Sequence, residues 1–240
     1  MPATGIAPLR SRPKSRLFEG FAPSDLDIIQ TAATQRRYRA RSAITNQGNS
    51  ADHLFLLSSG HARYFYLTQN GHKTLLLWLT PGDILGGAAF LSKPSKYLIS
   101  TEAVRDSSFL VWDRATIRSL AARYPRLLEN ALSMGSDYLT WYLADHVALV
   151  CDTARERLAQ ILVHLAGAIG QKVLGGVEFD VSNEELASAA NITPFTASRL
   201  LSEWQTNSAV LKRRGKILLR FPERLLPHAA PGDRREVSLL

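Results

Sequence analysis

Cysteine is nearly missing from this chain: Cys151 stands alone among 240 residues. One thiol excludes an intrachain disulfide framework and any all-cysteine zinc or iron–sulfur site within one subunit, and it fits a reducing cytoplasm. Long apolar runs are also missing. The densest, Leu75-Leu76-Leu77-Trp78-Leu79, falls far short of the roughly 20 residues that span a bilayer. No apolar stretch follows Arg10, Arg12, Lys14 and Arg16, so residues 1–16 read as a flexible basic tail and not as a secretory signal. Enzyme signatures are absent as well. There is no Gly-rich phosphate loop, no HExxH and no GxSxG, and no acidic pair is marked out for acid–base chemistry. The reading is a non-enzyme, with no metal site marked out.

What is present is positive charge and apolar substance. Lys and Arg number 29 against 21 acidic residues, a formal charge of +8, and 45% of the residues are hydrophobic. The composition is that of a globular protein long enough for two domains, and the charge points to an anionic partner, nucleic acid or membrane surface. Between Ala43 and Asp113 glycines recur at positions 48, 60, 71 and 82, and apolar runs lie between and after them: Leu54–Leu57, Ala62–Tyr66, Leu75–Leu79 and Phe109–Trp112. Turn signals at this spacing predict an antiparallel sandwich, barrel or jelly roll, with an unrelated α+β domain as the alternative. Asn70-Gly71 between two such runs predicts a tight hairpin of type I′, whose two central residues take positive φ.

After Pro125 the period changes. Leu128, Leu132, Gly135, Leu139, Tyr142, His146 and Leu149 are separated by steps of 4, 3, 4, 3, 4 and 3, and no proline interrupts 126–150. That is a heptad seam on one long helix. A neighbouring stripe of Leu127, Ala131, Met134, Tyr138 and Trp141 is available to cover the sandwich. The seam then either packs on its own domain or meets a second subunit, and the presence of two stripes favours a homodimer. Asp152-Thr153 offers a helix N-cap and marks a domain boundary, and Leu158, Ile161, Leu162 and Leu165 share one face of the helix that follows.

Residues 182–204 carry the most information. Ser182-Asn183-Glu184-Glu185 is a capping box. The helix it opens breaks at Asn191, a residue that tolerates left-handed backbone, and Thr193-Pro194 restarts helix at once as N-cap and first residue. Small Ala187 and apolar Ile192, Ala197, Leu200, Leu201 and Trp204 let two short helices cross closely, as a helix-turn-helix requires, though any helical hairpin shares this trait. Lys212-Arg213-Arg214-Gly215-Lys216, between Val210-Leu211 and Ile217-Leu218-Leu219, predicts a basic β-hairpin wing. From 191 to 221 six basic residues stand against Glu203 alone, a local net of +5. Thr193, Pro194, Phe195, Thr196, Ser198 and Arg199 are the expected contacts of the second helix with duplex DNA, and Lys212, Arg213, Arg214 and Lys216 those of the wing. Arg199 suits guanine. Phe195 suits a thymine methyl or, alternatively, packing within its own domain.

This order of parts resembles the Crp/Fnr (cyclic-AMP receptor and fumarate-nitrate-reduction) family of bacterial regulators over residues 20–222. The likeness rests on Gly60, Asn70-Gly71, Pro81-Gly82-Asp83-Ile84-Leu85-Gly86, Ala154-x-x-Arg157-Leu158-Ala159 and Thr196-Ala197-Ser198-Arg199-Leu200-Leu201. It implies an α+β fold: an N-terminal β-roll of the cyclic-nucleotide-binding type (17–123), a dimerisation helix (124–150), a winged helix-turn-helix (151–229) and a C-terminal tail (230–240). It further implies a cytoplasmic activator that binds pseudo-palindromic promoter DNA and meets RNA polymerase. A small-ligand module acting through protein contacts is the alternative.

The sensor and the reading helix both depart from the family pattern. Nucleotide-binding members carry a glutamate for the ribose where this chain has Gly87, and an arginine for the phosphate where, on a gap-free reading, it has Tyr97; Lys93 or Lys96 is the alternative donor to the phosphate, and no response to cyclic AMP is expected. No cysteine precedes Cys151, which excludes the iron–sulfur cluster of the oxygen-sensing members. In the reading helix Phe195 replaces a frequent glutamate, and the Pro-Phe-Thr-x-Ser-Arg pattern looks closest to regulators of nitrogen-oxide respiration, some of which sense nitric oxide through haem. Candidate haem ligands are therefore His53, His61 and His146, each with an ordinary packing or surface role as the alternative. Cys151 reads either as a redox switch, activated by Arg155 or a helix N-terminus, or as a buried structural residue.

Overall fold

The computed structural model describes residues 14–71, 73–213 and 215–226. Arg214, residues 1–13 of the expected N-terminal tail, residues 227–229 of the expected DNA-binding domain and the tail 230–240 lie outside the described residues. In chain order the elements are α1 (Pro23–Thr31), β1 (Thr34–Tyr38), β2 (Ala43–Thr45), β3 (His53–Ser59), β4 (Ala62–Leu67), β5 (Lys73–Leu79), β6 (Ile84–Leu85), β7 (Ser100–Ala103) and β8 (Ser107–Asp113). Then come α2 (Arg114–Arg123), α3 (Pro125–Cys151), α4 (Ala154–Ala168), β9 (Gln171–Val173), β10 (Gly176–Asp180), α5 (Asn183–Ala189), α6 (Pro194–Thr206), β11 (Val210–Arg213) and β12 (Lys216–Leu219). The chain forms two compact units, Met1–Gly71 with Leu77–Leu139 and His72–Leu76 with Thr140–Leu240.

The expected β-roll is present as two four-stranded sheets, in the orders β1-β8-β3-β6 and β2-β7-β4-β5. β3 pairs antiparallel with β8, Leu54 opposite Trp112 and Leu56 opposite Leu110. Alternation along β3 explains why its apolar run is unbroken. Leu54 and Leu56 join one core with Trp112, Ile117, Leu127, Ala131 and Met134, whereas Phe55 and Leu57 join a second with Leu85, Phe109 and Val111. Side chains two apart share a face, so a strand buried on both faces must be apolar throughout.

Two details depart from expectation. The Asn70-Gly71 turn is not type I′: Gly71 has φ 79, but Asn70 is not among the left-handed residues. The turn closes instead from the Gly71 amide to the Thr68 carbonyl at 2.9 Å. The supposed tail also ends earlier than position 16. The Ser15 hydroxyl donates to the Gly82 carbonyl at 2.6 Å, Arg16 pairs with Asp137, and Leu17 is fully buried.

α3 has the length expected of the dimer helix and is shifted by one residue toward the C-terminus at both ends. Of the stripe expected to cover the roll, Leu127, Ala131 and Met134 are buried there, Tyr138 is half-buried, and Trp141 instead has its ring 5.9 Å from that of His164 on α4. Along the seam Leu128, Leu132, Leu139, Tyr142 and Leu149 are exposed large hydrophobics, Leu132 at 72% and Leu139 at 58%. Gly135 and His146 are exposed on the same face.

A candidate DNA interface and an altered sensor pocket

The second unit is organised by its caps. Thr153 caps α4 in a capping box with Glu156, and the hydrogen bonds from Thr153 hold the Glu156 carboxyl below the usual glutamate range. Ser182 and Glu185 do the same for α5, the Glu185 amide donating to the Ser182 hydroxyl at 3.2 Å and the Ser182 amide to the Glu185 carboxylate at 2.7 Å. α5 then stops at Asn191, whose φ of 48 is the left-handed value that its side chain tolerates. The Ile192 amide returns to the Ala187 carbonyl at 2.9 Å. Thr193 accepts from the Thr196 amide at 3.1 Å and Pro194 takes the first helical position, so α6 restarts two residues later. Ala187 and Ala197 are 1% and 0% exposed, small residues buried on α5 and α6 where these helices pack together.

Arg157 fastens this turn, a role that sequence reasoning missed. Its Nε donates to the Ala190 carbonyl at 2.8 Å and its Nη1 to the Asp152 carbonyl at 2.7 Å. The only trace in the sequence was its place in the Ala154-x-x-Arg157 motif.

On α6 the inner face is Ala197, Leu200, Leu201 and Trp204, all buried. The outer face bears the expected DNA contacts. Phe195 is 79% exposed, which removes the packing alternative. Thr196 shares a 2.9 Å hydroxyl contact with Thr193, Ser198 is half-buried, and the exposed Arg199 pairs with Glu203 at 2.9 Å. β11 and β12 form the expected wing, in register from Val210 opposite Leu219 to Arg213 opposite Lys216.

The wing is less positive than its own sequence suggests. β12 pairs with β10, and this places Glu178 beside the basic turn. Glu178 accepts from Lys216 at 2.9 Å and from Arg213 at 3.3 Å, with Asp180 3.8 Å from Lys216. The Lys216 hydrogen bond leads in holding the Glu178 carboxyl low, and Lys216 is raised in return. Counting charge from 191 to 221 omitted these carboxylates because they enter from another strand. Lys212 makes no ion pair among the described residues; its amide is held by Gln205 at 3.2 Å.

In the roll, the two positions that the resemblance assigns to a cyclic nucleotide, Gly87 and Tyr97, lie between β6 and β7. Gly86 has φ 80, and a Cβ there would collide with the His53 carbonyl; one at Gly87 would meet nothing. Tyr97 donates its hydroxyl to the His53 carbonyl at 3.3 Å. Nearby, the buried Tyr64 bonds the Ile84 carbonyl at 3.3 Å, and Tyr138 bonds Asp83 at 3.1 Å. Burial first, and the Asp83 charge second, push both phenols far above their ordinary range, so they act as neutral donors.

The three candidate histidines lie apart in different settings. His61 is 8% exposed, and its Nε2 lies 3.0 Å from Arg105 Nη2. A guanidinium only donates, so that nitrogen is spent as an acceptor. His53 stands 3.5 Å from Arg36 with its ring tilted against Phe55, and His146 lies on the exposed seam. Among the described residues no three metal-binding side chains cluster. Cys151 is exposed, contrary to a buried structural role. It ends α3, so it sits at a helix C-terminus, and Arg155 is engaged by Glu203.

The comparisons agree with this architecture. The model of the cyclic nucleotide-binding domain matches residues 35–124, and that of the Crp-like helix-turn-helix domain matches 156–227. The chain is 29% identical to the cyclic AMP receptor protein of Thermus thermophilus over 187 residues, 78% of this chain and 84% of that protein. Against the nitrogen fixation regulation protein FixK of Rhizobium meliloti identity is 22% over 209 residues, 86% of this chain and 90% of that one. The solved structure of FixK2 from Bradyrhizobium japonicum shares the fold, with a TM-score of 0.70 at 24% identity over 82% of this chain and 98% of that one. No helix among the described residues is long and apolar enough to cross a membrane. With a β-roll matched at one end and a helix-turn-helix at the other, the chain belongs to the Crp/Fnr family of transcription regulators.

Proposed function

We propose that the protein works as a cytoplasmic homodimer, reads a two-fold-related site in promoter DNA through α6 and the wing, works there with RNA polymerase, and is not controlled by cyclic AMP. The outward face of α6 carries this reading: Phe195 and Arg199 project from a helix whose inner face is locked into the core. A guanidinium there suits guanine, and the ring suits a thymine methyl. The exposed seam supports a dimer, because Leu132 and Leu139 leave apolar surface in water unless a second α3 covers it. A gel shift on duplexes enriched by selection from random sequence tests the reading. Retardation lost to added salt but not to random competitor DNA supports it, and equal competition by random DNA overturns it.

Independence from cyclic AMP is supported by positions 87 and 97. Gly87 brings no carboxylate to a ribose, and the Tyr97 hydroxyl is bonded to the backbone and offers no cation to a cyclic phosphate. Losing such charge-assisted contacts weakens binding by roughly a thousandfold. Calorimetry with cyclic AMP and cyclic GMP up to millimolar concentration decides the point, since micromolar binding of either overturns it. Control through a thiol is a second reading, favoured by the exposure of Cys151. If peroxide treatment changes DNA affinity equally in wild type and Cys151→Ser, that reading fails.

A further inference from the structure

Glu203 is the sole acidic residue between 191 and 221. On a surface that attracts phosphates, a carboxylate lowers affinity, so its presence calls for a reason. Its two oxygens are divided between two helices. Oε1 accepts from Arg199 Nη1 at 2.9 Å, one turn back along α6, and Oε2 accepts from Arg155 Nη2 on α4. Arg155 is placed in its turn: its guanidinium carbon lies 5.7 Å from the ring of Trp204. Trp204 is fully buried and donates its Nε1 to the Leu225 carbonyl at 2.7 Å. A continuous line of contacts thus runs from the core through Arg155 and Glu203 to the exposed Arg199.

An isolated exposed pair four residues apart on a helix stabilises little. This one differs because the carboxylate is gripped from its far side by a cation on another element, so it is not free to follow Arg199. Arginine reads guanine only when two parallel N–H groups meet O6 and N7 together, and a guanidinium on a free stem samples many orientations. Fixing one terminal nitrogen to Glu203 leaves Nη2 and Nε to face outward.

We propose that Glu203, anchored by Arg155, is a positioning residue that sets the base specificity of Arg199 and holds down binding to DNA of the wrong sequence. This rests on the reading of α6 as the base-contacting helix. Its signature has two opposite parts, which a stability role does not produce. Removing the carboxylate should blunt discrimination while tightening binding to random DNA.

The test uses the full-length protein and three kinds of duplex: one selected from random sequence by the wild type, its single-base variants, and a scrambled duplex of equal length. In Glu203→Gln, the ratio of wrong-base to right-base dissociation constants should fall about tenfold at one base pair in each half-site. The scrambled duplex should bind severalfold tighter, with a salt slope steeper by about one. Arg155→Gln should lower discrimination at the same base pair, and that pair should be the one at which Arg199→Ala loses its preference. Melting temperature and dimer size, measured alongside, should be unchanged in Glu203→Gln. If Arg199→Ala loses its preference at one pair and Glu203→Gln keeps full discrimination there, the Glu203 proposal falls and the base-reading helix stands. If Arg199→Ala itself leaves every preference intact, both fall. Should Glu203→Gln lower the melting temperature, Arg155→Gln carries the same test from the other side of the contact.

Discussion

The reading helix and the sensor roll both carry the family's shape, yet they treat the family's chemistry in opposite ways. In α6 the buried positions are kept, and so are two of the outward polar groups, with Phe195 the exception: Ala197 and Leu200 pack, and Ser198 and Arg199 remain beside the exposed face. In the roll the packing is kept and the polar groups are not. Gly86 makes a close approach to the His53 backbone, and by the family resemblance Gly87 and Tyr97 take the places of a carboxylate and a cation. A domain match over 35–124 establishes the shape of the roll.

The comparison can be broken most forcefully through the dimer. Leu132→Glu with Leu139→Glu places charge on the exposed seam, and sedimentation should then report monomers with DNA affinity down by a hundredfold or more, because the two half-sites are no longer bound together. Dimeric double variants with unchanged affinity would sink the seam. Next comes an attempt to restore the lost chemistry. Gly87→Glu with Tyr97→Arg should create micromolar binding of cyclic AMP in calorimetry where the wild type shows none, since a side chain at 87 meets open space. Continued silence of that variant would mean that the pocket differs by more than two polar groups.

Smaller effects distinguish the outer face of α6 from the wing. Arg199→Ala should cost about 1–3 kcal/mol at the selected site and relax one base position. Lys212→Ala should weaken selected and scrambled duplexes alike and flatten the salt slope, as a phosphate contact would. Selective loss in the lysine variant would reverse these assignments.

The smallest effect is electrostatic, and both units should show it. The Asp113 carboxyl, which caps α2, is held below the usual aspartate range by the Thr116 amide and hydroxyl, and Glu156 is held low by Thr153. Groups with lowered folded-state values add stability that is complete above their unfolded range, near pH 4, and lost as pH falls through the folded value. The melting temperature should stay level from pH 7 to 5 with respect to these groups and fall below about 4. Asp113→Ala should lower it at neutral pH by the equivalent of about 1 kcal/mol and make the acid decline shallower.

Legibility in the sequence followed the range of the interaction. Helix starts were readable because a cap is settled within four residues, as at Ser182 and Thr193. Strands β3, β4, β5 and β8 were readable because their side chains are apolar. β7 was missed: its sequence Ser-Thr-Glu-Ala reads as surface, yet all four residues are buried. They are accommodated by distant partners, Thr101 by the Thr45 hydroxyl and Glu102 by Arg63. β1 was missed for a related reason, since its arginines need only one paired edge, supplied by β8. The Asn70-Gly71 turn was located but mistyped, because asparagine is at home in either backbone region and its φ is decided by the loop. At the site, the outward-facing residues were foreseen. The neutralising role of Glu178 was not, since 35 residues separate it from Arg213 and only sheet pairing joins them.

Arg157 has a mechanical consequence. One guanidinium spans the Asp152 carbonyl at the end of α3 and the Ala190 carbonyl at the turn before α6, with hydrogen bonds of 2.7 and 2.8 Å. Such a strut has almost no slack, because hydrogen bonds weaken steeply beyond about 3.2 Å. Any shift of the α3–α4 junction by half an ångström must therefore be passed on to the turn, be taken up by bending the arginine stem, or snap one of the two bonds. The junction and the turn before α6 are geared together by a single side chain, and a lysine in its place, with one point of attachment instead of a fork, would leave the gear slipping.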